Sequence, residues 1–585
     1  MAVRPARTKL RGSSNIRVPQ ARCSLQAMGQ YPAYMNRRHC RMQSIAQRVS
    51  TADRFSLKRS LELPALPCFQ SFFQPSIELI TVQGNYWESF VSEDDRIGRR
   101  SVLQGMAASG VLALATACDG NGDVIPGVER QQLNSVVDGN VFWRGDTAYE
   151  TARGMTAYRA NKPKRFPQVI IQAESEADVV AAVKFAKRHK LKVTTRSGGH
   201  SWSSAHIRDD CVLIDLAKMQ EIEVDEAAQT LWVNPGVVGS RLNAVLKGYG
   251  LIVPTAHHPS PGIGGFCMNG GFGWNSRFWG NGAHHVLAVE VVNADGEKIY
   301  ADENQNSDFW WAARGSGAGF FGVVTKMKLQ CRPLPKVWLT SVCSWRDAEG
   351  VFDELMAWAC DIVPQIPLTV ETVIVSSAHD RATGKAAPTS ITLAALSLAD
   401  TVEEATQALE FMKSCPVRDR ATFRLDGAPT SLEERYESGY AADPAGFRFA
   451  ADNMYTEAPT AELVPRLRKV FLDLPTPRTH TFWLAWGPTK PFPETMALSM
   501  QGNIYMGTYT LWTDPAQDEA MEAWPSDRFL ELSDLSMGGQ MNDENMLRHP
   551  QRYFSPAAFE KLEALRKRHD PDGVFESFLG DPQPS

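Results

Sequence analysis

The stretch RSGGHSW, residues 196–202, places a histidine directly after two glycines, with no cysteine or second histidine at the spacing a metal site needs. Gly198 and Gly199 allow successive backbone N–H groups to turn inward, which makes a cradle for a phosphate oxygen. His200 then stands beside that cradle as an uncommitted imidazole, able to act as an attachment nucleophile. A second segment, PSPGIGGFCMNGGFGW (259–274), carries Gly262, Gly264, Gly265, Gly270, Gly271 and Gly273, and would bring another stretch of backbone close to the same ligand. Each segment alone reads equally well as a tight turn; the pair within one domain points to a diphosphate. A third, ARGSGAGFFGVVT (313–325), contains Gly317, Gly319 and Gly322 in a formal GxGxxG. SDFWWAAR before it reads as helix and VVTKMKL after it as strand. That reverses the strand–loop–helix order of a dinucleotide fingerprint, so the fingerprint is rejected.

The elements that must position these loops follow from periodicity. Gln168 to Gln172 is a β-branched apolar run, and Ser175 with Asp178 starts a helix whose buried face is Val179, Ala182, Val183 and Ala186. Lys192 to Thr195 is the next strand and runs straight into the first glycine turn. CVLIDL, TLWVNPG and VLAVEVVNADGEKIYA supply further strands, the last a hairpin turned at Ala-Asp-Gly, with a helix at SRLNAVLKGYG. Beyond Val337 the character changes to helices (GVFDELMAWACDIV, TVEEATQALEFMKS) mixed with strands (SITLAALSL, FWLAWGP, NIYMGTYTLWT). FSPAAFEKLEALRKRHDPDGVF then gives an amphipathic helix ended by Asp-Pro-Asp-Gly.

With 585 residues, 43% hydrophobic and 22% charged, the chain is globular and too long for one ordinary core. Met1 to Ser50 contain no Asp or Glu and many Arg, and residues 1–90 are expected to lie outside the fold. They read as an upstream leader ahead of a start near Val91, or as an organelle transit peptide. Arg99-Arg100-Ser101, followed by a small and apolar stretch to Ala117, has the layout of a twin-arginine export signal over 91–118, which would place the protein in the periplasm or outside the cell. Cys118 is a candidate for a lipid anchor, and no apolar run is long enough for a membrane span. The six cysteines of the body show no CxxC, so no metal is expected, and one or two disulfides are left open. The acidic body has no basic footprint for nucleic acid.

RSGGHS after a strand, PGIGGF with the glycines that follow it, DFWWAARGSGAGFFGVVT and the closing DPDGVF together resemble the FAD-linked oxidases related to berberine bridge enzyme and vanillyl-alcohol oxidase. The resemblance runs from Val137 to Phe578. It implies an α+β fold: a PCMH-type FAD-binding domain of two α/β subdomains (137–335), split in sequence and completed by a returning segment (536–585). Between them would lie an inserted substrate domain built on an antiparallel sheet covered by helices (336–535). It implies FAD bonded covalently through His200, with Arg196, Ser197, Gly198, Gly199 and Ser201 around the pyrophosphate. His258, Gly262, Gly264, Gly265, Gly270, Gly271 and Val323 would also contact the cofactor. Some relatives place a second, cysteinyl flavin bond where this chain has His258, so one bond is expected; Cys267 lies past the glycines. Pro261 holds a position that the family connects with oxygen access.

The activity implied is removal of a hydride from an alcohol, sugar or amine-type C–H, with O₂ as electron acceptor and H₂O₂ as product; a dehydrogenase or a flavin-stabilised binding protein is the alternative. A base must take the departing proton. Relatives often carry Tyr-x-Asn after a Gly-Gly here; this chain matches at Asn542 but has Gln540 in place of the tyrosine. Tyr505 and Tyr509, four apart on a strand and so on one face, are the replacement candidates, with Asp543, Glu544 and Glu371 behind them. Trp483, Trp486 and Trp512 are core residues or pocket lining.

Overall fold

The structure, a computed structural model, describes residues 125–584 apart from 381–383 and 488–491. The expected leader, the twin-arginine segment and Cys118 lie outside the described residues.

Four short strands open the fold: β1 (Asn140–Trp143), β2 (Val169–Gln172), β3 (Val193–Arg196) and β4 (Val212–Asp215), in the order β1-β2-β4-β3. β2 and β3 both run parallel to β4, and the helix Glu176–Arg188 connects β2 to β3. Its N-terminus is the expected capping box, with Ser175 and Asp178 each satisfying the other's backbone. The Asp178 carboxylate also accepts from the backbone N–H groups of Asp138 and Gly139, which ties the first strand's approach to the helix. Val179, Ala182, Val183, Phe185 and Ala186 are buried against the sheet. Each valine or phenylalanine so removed from water contributes about 1.5–3 kcal/mol.

Next come β5 (Ile222–Asp225), β6 (Thr230–Val233), β7 (Leu251–Ile252), β8 (Val286–Val292), β9 (Lys298–Asp302), β10 (Val323–Gln330) and β11 (Arg332–Pro333). Five of them form an antiparallel sheet, β5-β6-β10-β8-β9, and β7 pairs with β11. The β8–β9 hairpin turns at Ala294-Asp295-Gly296 as read from sequence, with Gly296 at φ +72°. Helix Ser307–Ala313 precedes the third glycine segment and β10 follows it, the order that excluded a dinucleotide fingerprint.

The third sheet is the largest: β12 (Val337–Trp345), β13 (Val370–His379), β14 (Ala386–Ala399), β15 (Phe423–Pro429), β16 (Arg448–Thr456), β17 (His480–Ala485) and β18 (Ile504–Trp512), ordered β15-β12-β14-β13-β17-β18-β16 and antiparallel throughout. Helices Phe352–Ile362 and Thr460–Leu472 bury their apolar sides on one face, among Trp345, Trp483, Ile504 and Met506. β18 is covered on both faces, so Tyr505 and Tyr509 fall on the face opposite those helices. Arg277, 2% exposed, in the short helix Ser276–Trp279 just after the second glycine segment, donates to the carbonyls of Ile366, Pro367, Val370, Trp486 and Gly487 and so staples that helix to this sheet.

Two readings change. TVEEATQALEFMKS is not one helix: an α-helix over Val402–Ala408 tightens into a 3₁₀ turn over Glu410–Ser414. The tighter winding stacks residues three apart, which sets Leu409 and Met412 together in the core. The disulfides left open do not form: Cys211, Cys267, Cys331, Cys343, Cys360 and Cys415 are all free thiols, and burial pushes the Cys267 thiol up to about 12. No helix among the described residues is long and apolar enough to cross a membrane.

Candidate active site

β3 ends at Arg196, whose guanidinium donates to Asp215 Oδ1 on the neighbouring strand at 2.7 Å and to the Gly198 carbonyl at 3.2 Å. That grip folds the chain over into the first glycine turn, where Gly199 adopts φ +73°. The second glycine segment packs directly against it. A Cβ on Gly198 would sit 2.3 Å from Gly262 N, and one on Gly262 would sit 2.7 Å from Gly198 N. No side chain fits between the two backbones, which is the physical reason for glycine at both positions.

These loops line a cavity of about 340 Å³. Other walls come from Gly317 and Gly322, from Tyr509 on β18, and from Gln540–Glu544. The last wall is the segment Phe575–Leu579. It docks on the open edge of β3, with Val193 N donating to Val574 O at 2.7 Å and Glu576 N to Val193 O at 3.0 Å.

Of the expected cofactor positions, Arg196 to Ser201, His258, Gly262, Gly264, Gly265 and Gly271 line this cavity. Gly270 and Val323 do not. Gly270 sits at φ +100° in the turn beside Leu498, and Val323 points into the hydrophobic core while Gly322 and Val324, on the other face of the strand, reach the cavity.

His200 stacks on Tyr158, ring centroids 4.2 Å apart, and its Nε2 bonds Ser260 Oγ at 2.8 Å. Burial, then His258 and Arg196 nearby, hold its pKa well below the usual imidazole value, so the ring is neutral. Burial also lowers His258 to about 4.

Across the cavity lies an acid–phenol cluster. Tyr505 Oη donates to Asp543 Oδ2 at 2.8 Å, and Tyr509 and Trp202 also bond that carboxylate. Burial outweighs these bonds and raises Asp543 to about 6. Burial likewise lifts Glu544 to about 7 despite the bond from Ser203 Oγ at 2.8 Å. Asp443 is pushed well above the carboxylate range by burial and by the charge of Asp543. Tyr509 lines the cavity; Tyr505 stands behind it, 1% exposed.

Asn542 lines the cavity at φ +88°, and its carbonyl accepts from Trp202 N at 3.0 Å. Gln540 is pinned by Asn453, which bonds both its N–H and its carbonyl, so phenols reach this place from β16 and β18 instead. Glu371 is committed to His257 Nε2 at 2.9 Å. Trp483, Trp486 and Trp512 are core residues, none of them on the cavity. Tyr158 and Asp443 carried no signal in sequence, because only the fold brings them to the loops; Ser260 lay within the second glycine segment but was not singled out. Trp202 stood in plain view within RSGGHSW.

The donor set suits FAD. The glycine cradle leaves no room for a Cβ, and the buried Arg196 Nε and Glu544 Oε2 lack protein partners beside the cavity. A family model described as FAD binding domain matches residues 167–301. FAD-linked oxidoreductase janO of Penicillium janthinellum is 29% identical over 445 residues, covering 74% of this chain and 96% of the relative. Crystalline 6-hydroxy-D-nicotine oxidase of Arthrobacter nicotinovorans shares the fold at a TM-score of 0.65 and 20% identity, covering 76% of this chain and 98% of that one. Wild-type Phl p 4.0202, a glucose dehydrogenase, does so at 0.64 and 19%, covering 78% of this chain and 100% of that one.

Fold, matched domain and relatives define the class: an FAD-dependent oxidoreductase with the PCMH-type FAD-binding fold. Its relatives come from fungi, bacteria and plants.

Proposed function

We propose that this chain is an oxidase that holds FAD covalently on His200, without a second bond, and oxidises an alcohol, sugar or amine-type C–H. The observation that supports it best is the placement of Asp543, with Tyr509 bonded to it, in the same cavity as His200 and both glycine loops. The Gly198 and Gly262 loops cradle the diphosphate, and Tyr509 on β18, with Asp543 behind it, faces the substrate. FAD, when bound, supplies the hydride acceptor and passes two electrons to O₂, giving H₂O₂.

The chain's own part is proton handling. Tyr509 takes the proton of the substrate hydroxyl or amine as it gives its own to Asp543, which is ionised above pH about 6 and ready to receive it. Below that pH Asp543 is already protonated, so turnover falls. Asn542 holds Trp202 through its backbone and keeps the loop in register. The proposal includes export through the twin-arginine route, with a mature terminus after the 91–118 segment.

Peroxide release on screening alcohols, sugars and amines tests the oxidase reading. Dye reduction without peroxide would instead make the chain a dehydrogenase, and neither signal with any substrate would overturn both. Flavin that survives acid denaturation in the wild type, and is lost in His200→Ala, is the expected result for the tether. Mass spectrometry of the mature chain reads the N-terminus.

A further inference from the structure

The imidazole of His200 has two nitrogens, and the surrounding hydrogen bonds decide which one is free to react. The chain of partners starts at a group with no ambiguity. The backbone carbonyl of Asp443, at the C-terminal end of the helix Leu432–Ala442, can only accept, and Tyr158 Oη donates its one proton to it at 2.8 Å. Toward His258 Nε2, 3.3 Å away, the phenol oxygen therefore accepts, so His258 carries its proton on Nε2. A second, independent donor agrees: the backbone N–H of Ser260 points at His258 Nδ1 at 3.2 Å, which requires that nitrogen to be bare. Ser260 Oγ lies 3.1 Å from the same bare nitrogen and donates to it. Its lone pairs then face His200 Nε2 at 2.8 Å, which must supply the hydrogen. Nδ1 of His200 is left with its lone pair and no hydrogen-bond partner among the described residues.

We propose that Tyr158, His258 and Ser260 form a relay that fixes the proton of His200 on Nε2 and makes Nδ1 the nitrogen that bonds the flavin. This rests on the covalent reading given above. His258, in the place where the resembling family's second tether would stand, becomes a positioning residue for the first. In the attachment step His200 Nδ1 gives its lone pair to a new C–N bond with the 8α-carbon of the flavin. The methyl group loses one hydrogen and the imidazole loses its Nε2 proton, which leaves through Ser260 toward His258 Nδ1. The two electrons released go to O₂, the acceptor of the proposed turnover, giving H₂O₂. Tyr158 also stacks on the His200 ring, so one residue fixes both the plane of the nucleophile and the far end of the relay.

The test reads the linkage, not turnover. The histidyl-flavin peptide from digested wild-type protein is expected to be the Nδ1 isomer by NMR; an Nε2 isomer overturns the relay while leaving the tether intact. In His258→Ala and Ser260→Ala, attachment of added FAD should slow by about a hundredfold, the scale of a lost general base. The rate is read as covalent flavin formed over time, normalised to the flavin each variant binds. Ser260→Thr, which keeps the hydroxyl, should attach at near wild-type rate, and added imidazole should speed His258→Ala. If His258→Ala binds no flavin at all, the Ser260→Ala and Ser260→Thr pair decides alone. Attachment at wild-type rate in Ser260→Ala overturns the proposal. Wild-type flavin released by acid is a separate result: it removes the tether itself, and the relay with it.

Discussion

The wall of the cavity that carries Gly198 and Gly262 is backbone against backbone, whereas the wall that carries Asp543 is side chain against side chain. The first works by excluding atoms: a single added carbon at Gly198 would lie 2.3 Å from Gly262 N. The second works by placing groups whose desolvation is tolerated for their chemistry, a carboxylate at about 6 with phenols turned toward it. A binding wall can be built from nearly anonymous chain provided nothing protrudes from it. A proton-handling wall depends on the identity of each residue, and its burial costs stability.

Substitutions can break this contrast or sharpen it. Asp543→Asn should have the largest effect, lowering kcat by about a thousandfold with flavin content unchanged. Its stability should move the other way. The folded-state pKa is raised, so the folded protein binds the proton more tightly than the unfolded chain between about pH 4 and pH 6, and stability falls as pH rises through that window. Above it the ionised carboxylate costs about 3 kcal/mol. Denaturant titrations should therefore find Asp543→Asn the more stable protein at pH 7, with the gain shrinking toward pH 4.

Gly198→Ala should cost about 3 kcal/mol, since both contacts are rigid backbone, and lower the flavin-to-protein ratio. Equal loss of flavin in Asp543→Asn would erase the distinction between the walls. Tyr509→Phe should reduce kcat by about tenfold to a hundredfold and leave flavin binding alone. A greater loss in Tyr505→Phe would show that the buried phenol, and not the one on the cavity, handles the proton. The smallest change is Gly265→Ala. An added Cβ there meets only Ser197 Cβ at 3.8 Å, so thermal unfolding should shift by less than about 1 kcal/mol. A large loss would mean that the cradle needs glycine for reasons other than close approach.

The same contrast explains what could be read in the sequence. The backbone wall is local: glycines cluster, a strand runs into them, and the capping box at Ser175 and Asp178 announces the helix behind. The β8–β9 hairpin and the shared face of Tyr505 and Tyr509 were legible for the same reason, since each rests on a short-range period, whereas the α+β class came with the family resemblance. The other wall is a meeting of distant segments. Tyr505 and Asp543 are 38 positions apart, and Tyr158 and Asp443 are 285 apart; no spacing rule links either pair. Val323 shows the limit at a single position, because a one-residue step along a strand exchanges cavity for core.

The docking of Phe575–Leu579 beside β3 has a consequence for biosynthesis. Arg208 Nη2 donates to Ser577 O across 369 positions of chain, so the cradle waits for a wall that is made long after it. At ordinary translation speeds that wall emerges roughly twenty seconds to more than a minute after β3. Throughout this interval the edge at Val193 lacks the partner that Val574 and Glu576 later supply. The timing of synthesis thus sets when the cavity can close: its lining is not complete until nearly all of the described chain has been made.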